Sequence, residues 1–412
     1  MRLKRILTAA IGILLVLLCL TYVKFQNDNR AEAAAAQEED TLCVLSSYEI
    51  REYQDVLRKI GEAYGQIEGN PQVKMEFIDS EDFKKDICLR MDREDKVDMI
   101  ICDSLVMPGL IDMNVMADIT WWLTREKRDR FRYAGMWQMA MEDGKYYGLP
   151  FTSNPYVLFY NRDILEGRGI ETPRTWDELL NACKETESLG INCFGFGARR
   201  TEETAAIYNH LLYACGGNYY TMDSEGGVRA LELLWTLKRR GYISKQTINS
   251  TAEDVACSFA ERKTALMAGE IGMVTLIDRL APDLNYGVTE LPGDVKHTQL
   301  LTGENIGVMR GADSRAYDFL DYLYQEENQK KLCEAMNTFP VVYGVDEPRE
   351  EFRQLDQSFQ ESGAMLPAHS SWFELSTIMT DSVTRILEDK SVSVSGEAYD
   401  LQDRVRVAIM SE

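Results

Sequence analysis

Leu42-Cys43-Val44-Leu45 followed by Ser46-Ser47-Tyr48-Glu49-Ile50 reads as a short apolar strand running into a helix, with Ser46 and Glu49 at capping-box spacing. Ile50, Tyr53, Val56, Leu57, Ile60, Tyr64 and Ile67 then recur at helical intervals. Val73, Met75 and Phe77 alternate with polar neighbours as a second strand. A helix is expected from about Asp82 to Met91 and a third strand over Asp98 to Cys102. This is βαβαβ, the building unit of a largely parallel sheet, so the chain belongs to the α/β class.

Downstream, Tyr147 to Asn161 is apolar and aromatic but carries Pro150 and Pro155, which predicts extended chain passing between two lobes rather than a central sheet strand. Thr175 and Glu178 again have capping-box spacing, ahead of a helix with Trp176, Leu179, Leu180 and Cys183 on one face and Gly190 as its stop. Helices follow at about Glu202 to Cys215 and Ser224 to Arg240, the second carrying Val228, Leu231, Leu234 and Leu237. Strands are expected at Thr264 to Met267, Met273 to Ile277 and Tyr286 to Leu291, and helices at about Ser314 to Tyr324 and Ser371 to Leu387. The alternation has no fixed period, so this is not a repeat protein.

With 412 residues, 45% of them apolar, the chain is long enough to bury two cores. At the start, Met1-Arg2-Leu3-Lys4-Arg5 precedes an apolar run from Ile6 to Val23, the pattern of an export signal or a short membrane anchor. A lipoprotein signal needs a small residue before the acceptor cysteine, and Leu18 precedes Cys19. Gln26 to Asp40 reads as a flexible tether in which Ala31-Glu32-Ala33 offers a distant cleavage site, and an anchor is expected over clean secretion. Beyond residue 30 there are 40 basic against 66 acidic residues, a net charge of −26 that repels nucleic acid and anionic lipid.

Familiar catalytic signatures are absent: there is no GxxxxGK[ST] phosphate loop, no HExxH and no GxSxG. The nine cysteines lack a CxxC spacing, and Cys88, Cys102 and Cys215 fall among apolar neighbours, so buried free thiols are expected over disulfides. His210, His297 and His369 are far apart in sequence and read as surface or core residues. No catalytic residue, metal or organic cofactor is expected on these grounds.

The stretch Tyr147-Gly148-Leu149-Pro150-Phe151, then Asn154, then Leu158-Phe159-Tyr160-Asn161-Arg162-Asp163, then Pro173-Arg174-Thr175-Trp176-Asp177-Glu178-Leu179 resembles the family 1 extracellular solute-binding proteins of bacterial ABC importers, relatives of maltose-binding protein. Gly216-Gly217, Phe259 to Met267, Tyr286-Gly287-Val288 with Leu291-Pro292-Gly293, and Glu326-Glu327-Asn328-Gln329-Lys330 follow in the family's order. Two departures stand out: Arg262 occupies a position where the family has glycine, and no tryptophan follows Gly269 or Gly272.

The resemblance implies a two-lobed periplasmic-binding-protein-like fold with an interlobe ligand cleft and a hinge. Residues 1–40 are the signal or anchor segment with its tether. The first lobe is expected over 41–150 with about 271–313, and the second over 151–270 with about 314–412. The implied activity is capture of a small molecule, a mono- or oligosaccharide, by a monomer tethered outside the cytoplasmic membrane, with ABC permease subunits as partners and no nucleic acid. Rival readings are an exported hydrolase using two cleft carboxylates and a ligand-sensing lobe for a sensor kinase.

By matching position, the implied ligand groups are Ser47 and Tyr48 after the first strand, Asp103 and Ser104 after the third, and Asn154 and Tyr156 in the crossing segment. Gly217, Asp278, Arg279, Glu304, Asn305 and Trp372 complete the set. Each has a structural alternative: Ser47 or Asp103 as a helix cap, Asp278 with Arg279 as a surface pair, Trp372 as core.

Overall fold

Nine strands position the site: β1 (Thr41–Ser46), β2 (Gln72–Phe77), β3 (Met99–Asp103), β4 (Leu149–Pro150), β5 (Tyr156–Asn161), β6 (Asn192–Gly195), β7 (Thr264–Glu270), β8 (Tyr286–Thr289) and β9 (Glu304–Val308). They come from a computed structural model that describes residues 40–79, 83–93, 95–296 and 299–410. The apolar run at 6–23, the tether up to residue 39 and His297 lie outside the described residues. Among the described residues no helix is long and apolar enough to cross a membrane.

Two sheets form two lobes. The first has the order β2-β1-β3-β9-β4, parallel through β2, β1 and β3, with β9 running antiparallel to β3. Leu42, Val44 and Leu45 of β1 are all fully buried, as expected of an inner parallel strand covered on both faces. The second sheet has the order β8-β5-β7-β6. The expected βαβαβ unit is present, with α1 (Arg51–Gly65) and α2 (Phe83–Asp92) as its helices. Tyr53, Val56, Leu57, Ile60 and Tyr64 form the buried stripe of α1, whereas Ile67 lies beyond the helix and is 47% exposed.

The expected capping box at Ser46 and Glu49 does not form. Ser46 stays in β1, where its hydroxyl accepts the Tyr48 N–H at 3.2 Å, and α1 starts after Ile50 with no side-chain cap. Strand pairing holds Ser46 in the sheet, which leaves 47–50 as a loop at the carboxyl end of β1. The second box is real: Thr175 caps α3 (Trp176–Thr186) and Glu178 returns the bond. Cys183 of α3 is joined by a disulfide to Cys193 of β6, Cα atoms 4.9 Å apart, contrary to the expectation of free thiols. The helix lies directly over that strand. Cys43, Cys102, Cys215 and Cys333 are buried and free.

Two further expectations change. Tyr156–Asn161 is an inner strand between β8 and β7, because Pro150 sits in the edge strand β4 and Pro155 just precedes β5, so neither proline interrupts an inner ladder. Within the stretch Tyr147 to Asn161, only 151–155 crosses between the sheets. Met273 to Ile277, expected as a strand, lies in a helix, Met273–Leu280: Met273, Val274, Leu276 and Ile277 are buried at helical spacing, and this outweighs the β-branched content. Helices α4 (Glu202–Ala214), α5 (Glu225–Arg239) and α6 (Ala252–Ala260) precede it, which makes it α7.

The lobes also divide differently from expectation. β8, assigned in advance to the first lobe, is bonded into the second sheet. Helices α8 (Ala316–Leu323) and α9 (Glu326–Met336), assigned to the second, pack on α1, where Tyr64 meets Phe319 with ring centroids 4.9 Å apart. The final helices α10 (Trp372–Glu388) and α11 (Val394–Met410) pack on α5 in the second lobe. Arg262 has a φ of 59°, a left-handed conformation that glycine adopts with least strain.

Candidate ligand-binding cleft

Both sheets direct strand ends at one place. Asp103 ends β3 opposite Glu304, which opens the antiparallel β9, and Glu270 ends β7 opposite Tyr156, which opens β5. With the loop after β1, these ends surround a cavity of about 150 Å³ between the lobes. Carboxyl ends of sheet strands are the usual ligand side of α/β folds.

Seven of the twelve expected residues line this cavity: Ser47, Tyr48, Asp103, Asn154, Tyr156, Glu304 and Trp372. The Tyr48 and Thr152 hydroxyls are 3.2 Å apart, and the Thr152 hydroxyl donates to Glu304. The Tyr48 ring meets the Tyr53 ring edge-on at 5.3 Å. Asp103 accepts the Leu105 N–H at 2.7 Å in a local turn, so one of its oxygens fixes the backbone. Asn154 donates to Glu270 at 2.7 Å and accepts the Gly272 N–H at 3.0 Å, which ties the crossing segment to the end of β7.

The other five sit elsewhere. Ser104 is fully buried behind Asp103, its N–H bonded to the Gly303 carbonyl at 2.8 Å. Asn305 alternates with Glu304 along β9, points to the opposite face and is also fully buried. Gly217 closes the end of α4 through a 2.9 Å bond from its N–H to Leu212. Asp278 accepts the Tyr286 hydroxyl at 2.7 Å and pairs with Arg349, while Arg279 pairs with Glu52 at 2.7 Å. Those two form surface links, not with each other.

Sequence reading missed most of the second-lobe side: Glu202 and Glu203 in the first turn of α4, Glu253 in the first turn of α6, and Glu270. Glu49, Arg199 and the aromatic Tyr53, Phe83 and Phe373 also reach the cavity. Acidic residues in a first helical turn are ordinarily read as partners of the helix dipole, which masks any second role. The cavity therefore faces seven carboxyl groups and one guanidinium among the described residues. Burial and then the charge of Asp103 push Glu304 up to about 8, burial and then Glu253 push Glu203 up to about 8, and burial raises Asp103 to about 6. Glu270 is raised well above the carboxylate range by burial and then by Glu304. Among the described residues no group of three or more His, Cys, Asp or Glu is placed to hold a metal ion.

The segments that cross between the lobes lie side by side. The Asn154 N–H donates to the Thr302 carbonyl at 3.0 Å, the Thr302 hydroxyl returns to the Asn154 carbonyl at 3.1 Å, and Ser153 bridges Phe339. Gly303, at a φ of 150°, lets this approach happen: a Cβ there would lie 2.1 Å from the Thr152 carbonyl oxygen. Gly303→Ala should cost about 1–3 kcal/mol through overpacking against backbone. Denaturant melts check this, and a variant of unchanged midpoint would show that the crossing segments are loosely held.

Comparison with known proteins agrees with this architecture. The profile of the bacterial extracellular solute-binding proteins matches residues 90–365, and the chain belongs to that family, a family of binding proteins. A binding protein of Brucella abortus (strain 2308) is 28% identical over 211 residues, 48% of this chain and 51% of that protein. The sn-glycerol-3-phosphate-binding periplasmic protein UgpB of Agrobacterium fabrum is 26% identical over 230 residues, 50% of this chain and 51% of that protein. The chain thus spans about half the length of the curated relatives it matches.

Among solved structures, an ABC transporter solute-binding protein of Thermotoga lettingae bound to α-D-tagatose has a TM-score of 0.81 at 20% identity, over 90% of this chain and 99% of that one. One from Agrobacterium radiobacter K84 in complex with ribitol has a TM-score of 0.77 at 16% identity, over 89% and 98%. At these identities the likeness establishes the two-lobed fold.

Proposed function

We propose that this chain is the extracytoplasmic capture subunit of an ABC importer, that it takes a monosaccharide-sized polyhydroxylated molecule into the interlobe cleft, and that it delivers this ligand to membrane permease subunits. The observation that carries the reading is the cavity itself. At about 150 Å³ it is smaller than the roughly 300–1,000 Å³ of drug-sized sites, so it suits one ring or a short polyol better than an oligosaccharide. Aromatic side chains line the cavity beside carboxyl groups, the residue types that meet the C–H side of a sugar and its hydroxyls. The ligands named for the two solved structures above, tagatose and ribitol, are of this size class. A phosphorylated ligand such as that of the Agrobacterium relative fits less well, because the lining is acidic.

Binding across the cleft favours the closed arrangement of the lobes, and closure is what a permease reads. The apolar run at Ile6 to Val23 supports retention at the outer face of the cytoplasmic membrane. A thermal-shift screen of monosaccharides and sugar alcohols tests the reading. A fitting ligand at 100 Kd should add about 2.7 kcal/mol of stability, whereas no shift from any sugar or polyol contradicts it. The same incubations return the ligand intact if the protein only binds, and cleaved oligosaccharide points instead to a hydrolase.

A further inference from the structure

The cleft wall carries more carboxyl groups than hydroxyl recognition needs. From the first lobe come Glu49, Asp103 and Glu304; from the second come Glu202, Glu203, Glu253 and Glu270, with Arg199 as the cation among them. Several already have internal partners: Glu202 accepts the Ser376 hydroxyl at 2.7 Å, Glu203 accepts the Ala252 N–H at 3.1 Å, and Glu270 accepts Asn154. Each remains an acid that an added cation can ionise. A neutral sugar would leave these groups facing one another with no added counter-charge, which either keeps them protonated or costs the complex their repulsion.

A second observation points to the ligand independently of the charge. Tyr156 is 95% buried, being 5% exposed, and lines the cavity, yet none of its described neighbours hydrogen-bonds its hydroxyl. The charges that act on that hydroxyl are Glu270, Glu203, Asp103 and Glu253, all of them cavity groups. A tyrosine this enclosed, with no described protein partner for a hydroxyl at a cavity, is placed to take one from the ligand. Tyr48, Tyr53, Phe83 and Phe373 also line the same space, and aromatic rings beside carboxylates are the chemistry that recognises an organic ammonium group.

We infer that the ligand is a polyhydroxylated small molecule bearing an ammonium group, an amino sugar or amino polyol, whose cation lies among Glu203, Glu253 and Glu270 and whose hydroxyl meets Tyr156. This rests on the carbohydrate reading above and narrows it. The raised carboxyl groups of the free cleft agree with it, because an ammonium would hold them ionised.

Calorimetry on matched pairs at pH 7.5 tests the inference: glucosamine against glucose and N-acetylglucosamine, galactosamine against galactose, aminated against plain sugar alcohols, with putrescine as a bare diamine. The tightest binder should be aminated, at least tenfold tighter than its neutral counterpart. Glu270→Gln and Glu203→Gln, each with its melting curve checked, should erase most of that ratio by weakening the aminated member far more than the neutral one. A neutral member that equals or exceeds its aminated counterpart in every pair overturns the inference and leaves the carbohydrate reading intact. Binding of putrescine but of no sugar or polyol overturns the carbohydrate part and keeps ammonium recognition. Silence across the whole panel overturns both.

Discussion

Replacing Trp372 with alanine should lower the stability of the ligand-free protein by about 3–5 kcal/mol, the usual cost of truncating a buried tryptophan. The indole touches the cavity, but it is only 2% exposed, opens α10 and lies 6.1 Å from the Tyr219 ring, inside a core that includes Leu375 and Met379. A ring so enclosed has little free face for a ligand, and stacking contributes only about 0.5–1.5 kcal/mol beyond area burial. Stability should therefore move more than affinity. Denaturant unfolding of the purified variant checks this; an unchanged midpoint with a tenfold loss of affinity would make Trp372 a ligand platform instead.

Between about pH 6.5 and 8.5 the ligand-free protein should become less stable as pH rises, the second large effect expected. Glu203 and Glu304 have folded values of about 8, well above their unfolded value, so the folded state holds protons that the unfolded state has already lost. Their stabilising contribution is complete below the unfolded carboxylate range and disappears as pH climbs through about 8. Glu270 acts in the same direction. His210, pushed down to about 3 by burial, works the opposite way, but only while the unfolded histidine still titrates, below about pH 6.5. Carboxylates held low by ion pairs, such as Glu76 and Asp313, are ionised in both states throughout this window.

The melting temperature should fall across the window by several degrees, at roughly 2–4 °C per kcal/mol for a domain of moderate size. Glu304→Gln should flatten the slope, and a bound cation should do the same by holding the cleft carboxylates ionised. A melting temperature that is flat or rises between these pH values would mean that the cleft is wetter and less self-repelling than its geometry implies.

The sequence made half of the cleft legible. Tyr48, Asp103, Asn154, Tyr156 and Glu304 could be found because each lies at a strand end or crossing segment that the family motifs anchor. The opposite wall was not, because Glu202, Glu203 and Glu253 look like ordinary first-turn acids and only the packing of α4 and α6 at the cleft distinguishes them. Gly217, Asp278 and Arg279 followed the motif register but sit outside the cavity, where helix ends and surface pairing occupy them.

Local pattern also decided which elements could be read. The βαβαβ start follows from hydrophobic period alone, and Thr175 with Glu178 forms the capping box that its spacing announces. Met273 to Ile277 was ambiguous, because five apolar or β-branched residues suit a strand as well as the buried face of a helix. The placement of β8 in the second sheet and of α8 and α9 on the first lobe depends on contacts distant in sequence, which no local pattern encodes.

The central claim is capture of one small polyhydroxylated ligand by the two lobes together, and the direct measurement is a calorimetric titration of the best screened ligand into the wild-type protein and Tyr156→Phe. One ligand per chain, with affinity at least tenfold weaker in a Tyr156→Phe protein that melts normally, is the predicted result, since that substitution removes only the hydroxyl of a cavity-lining residue. Unchanged affinity in the folded variant would place the ligand outside this cleft and contradict the account.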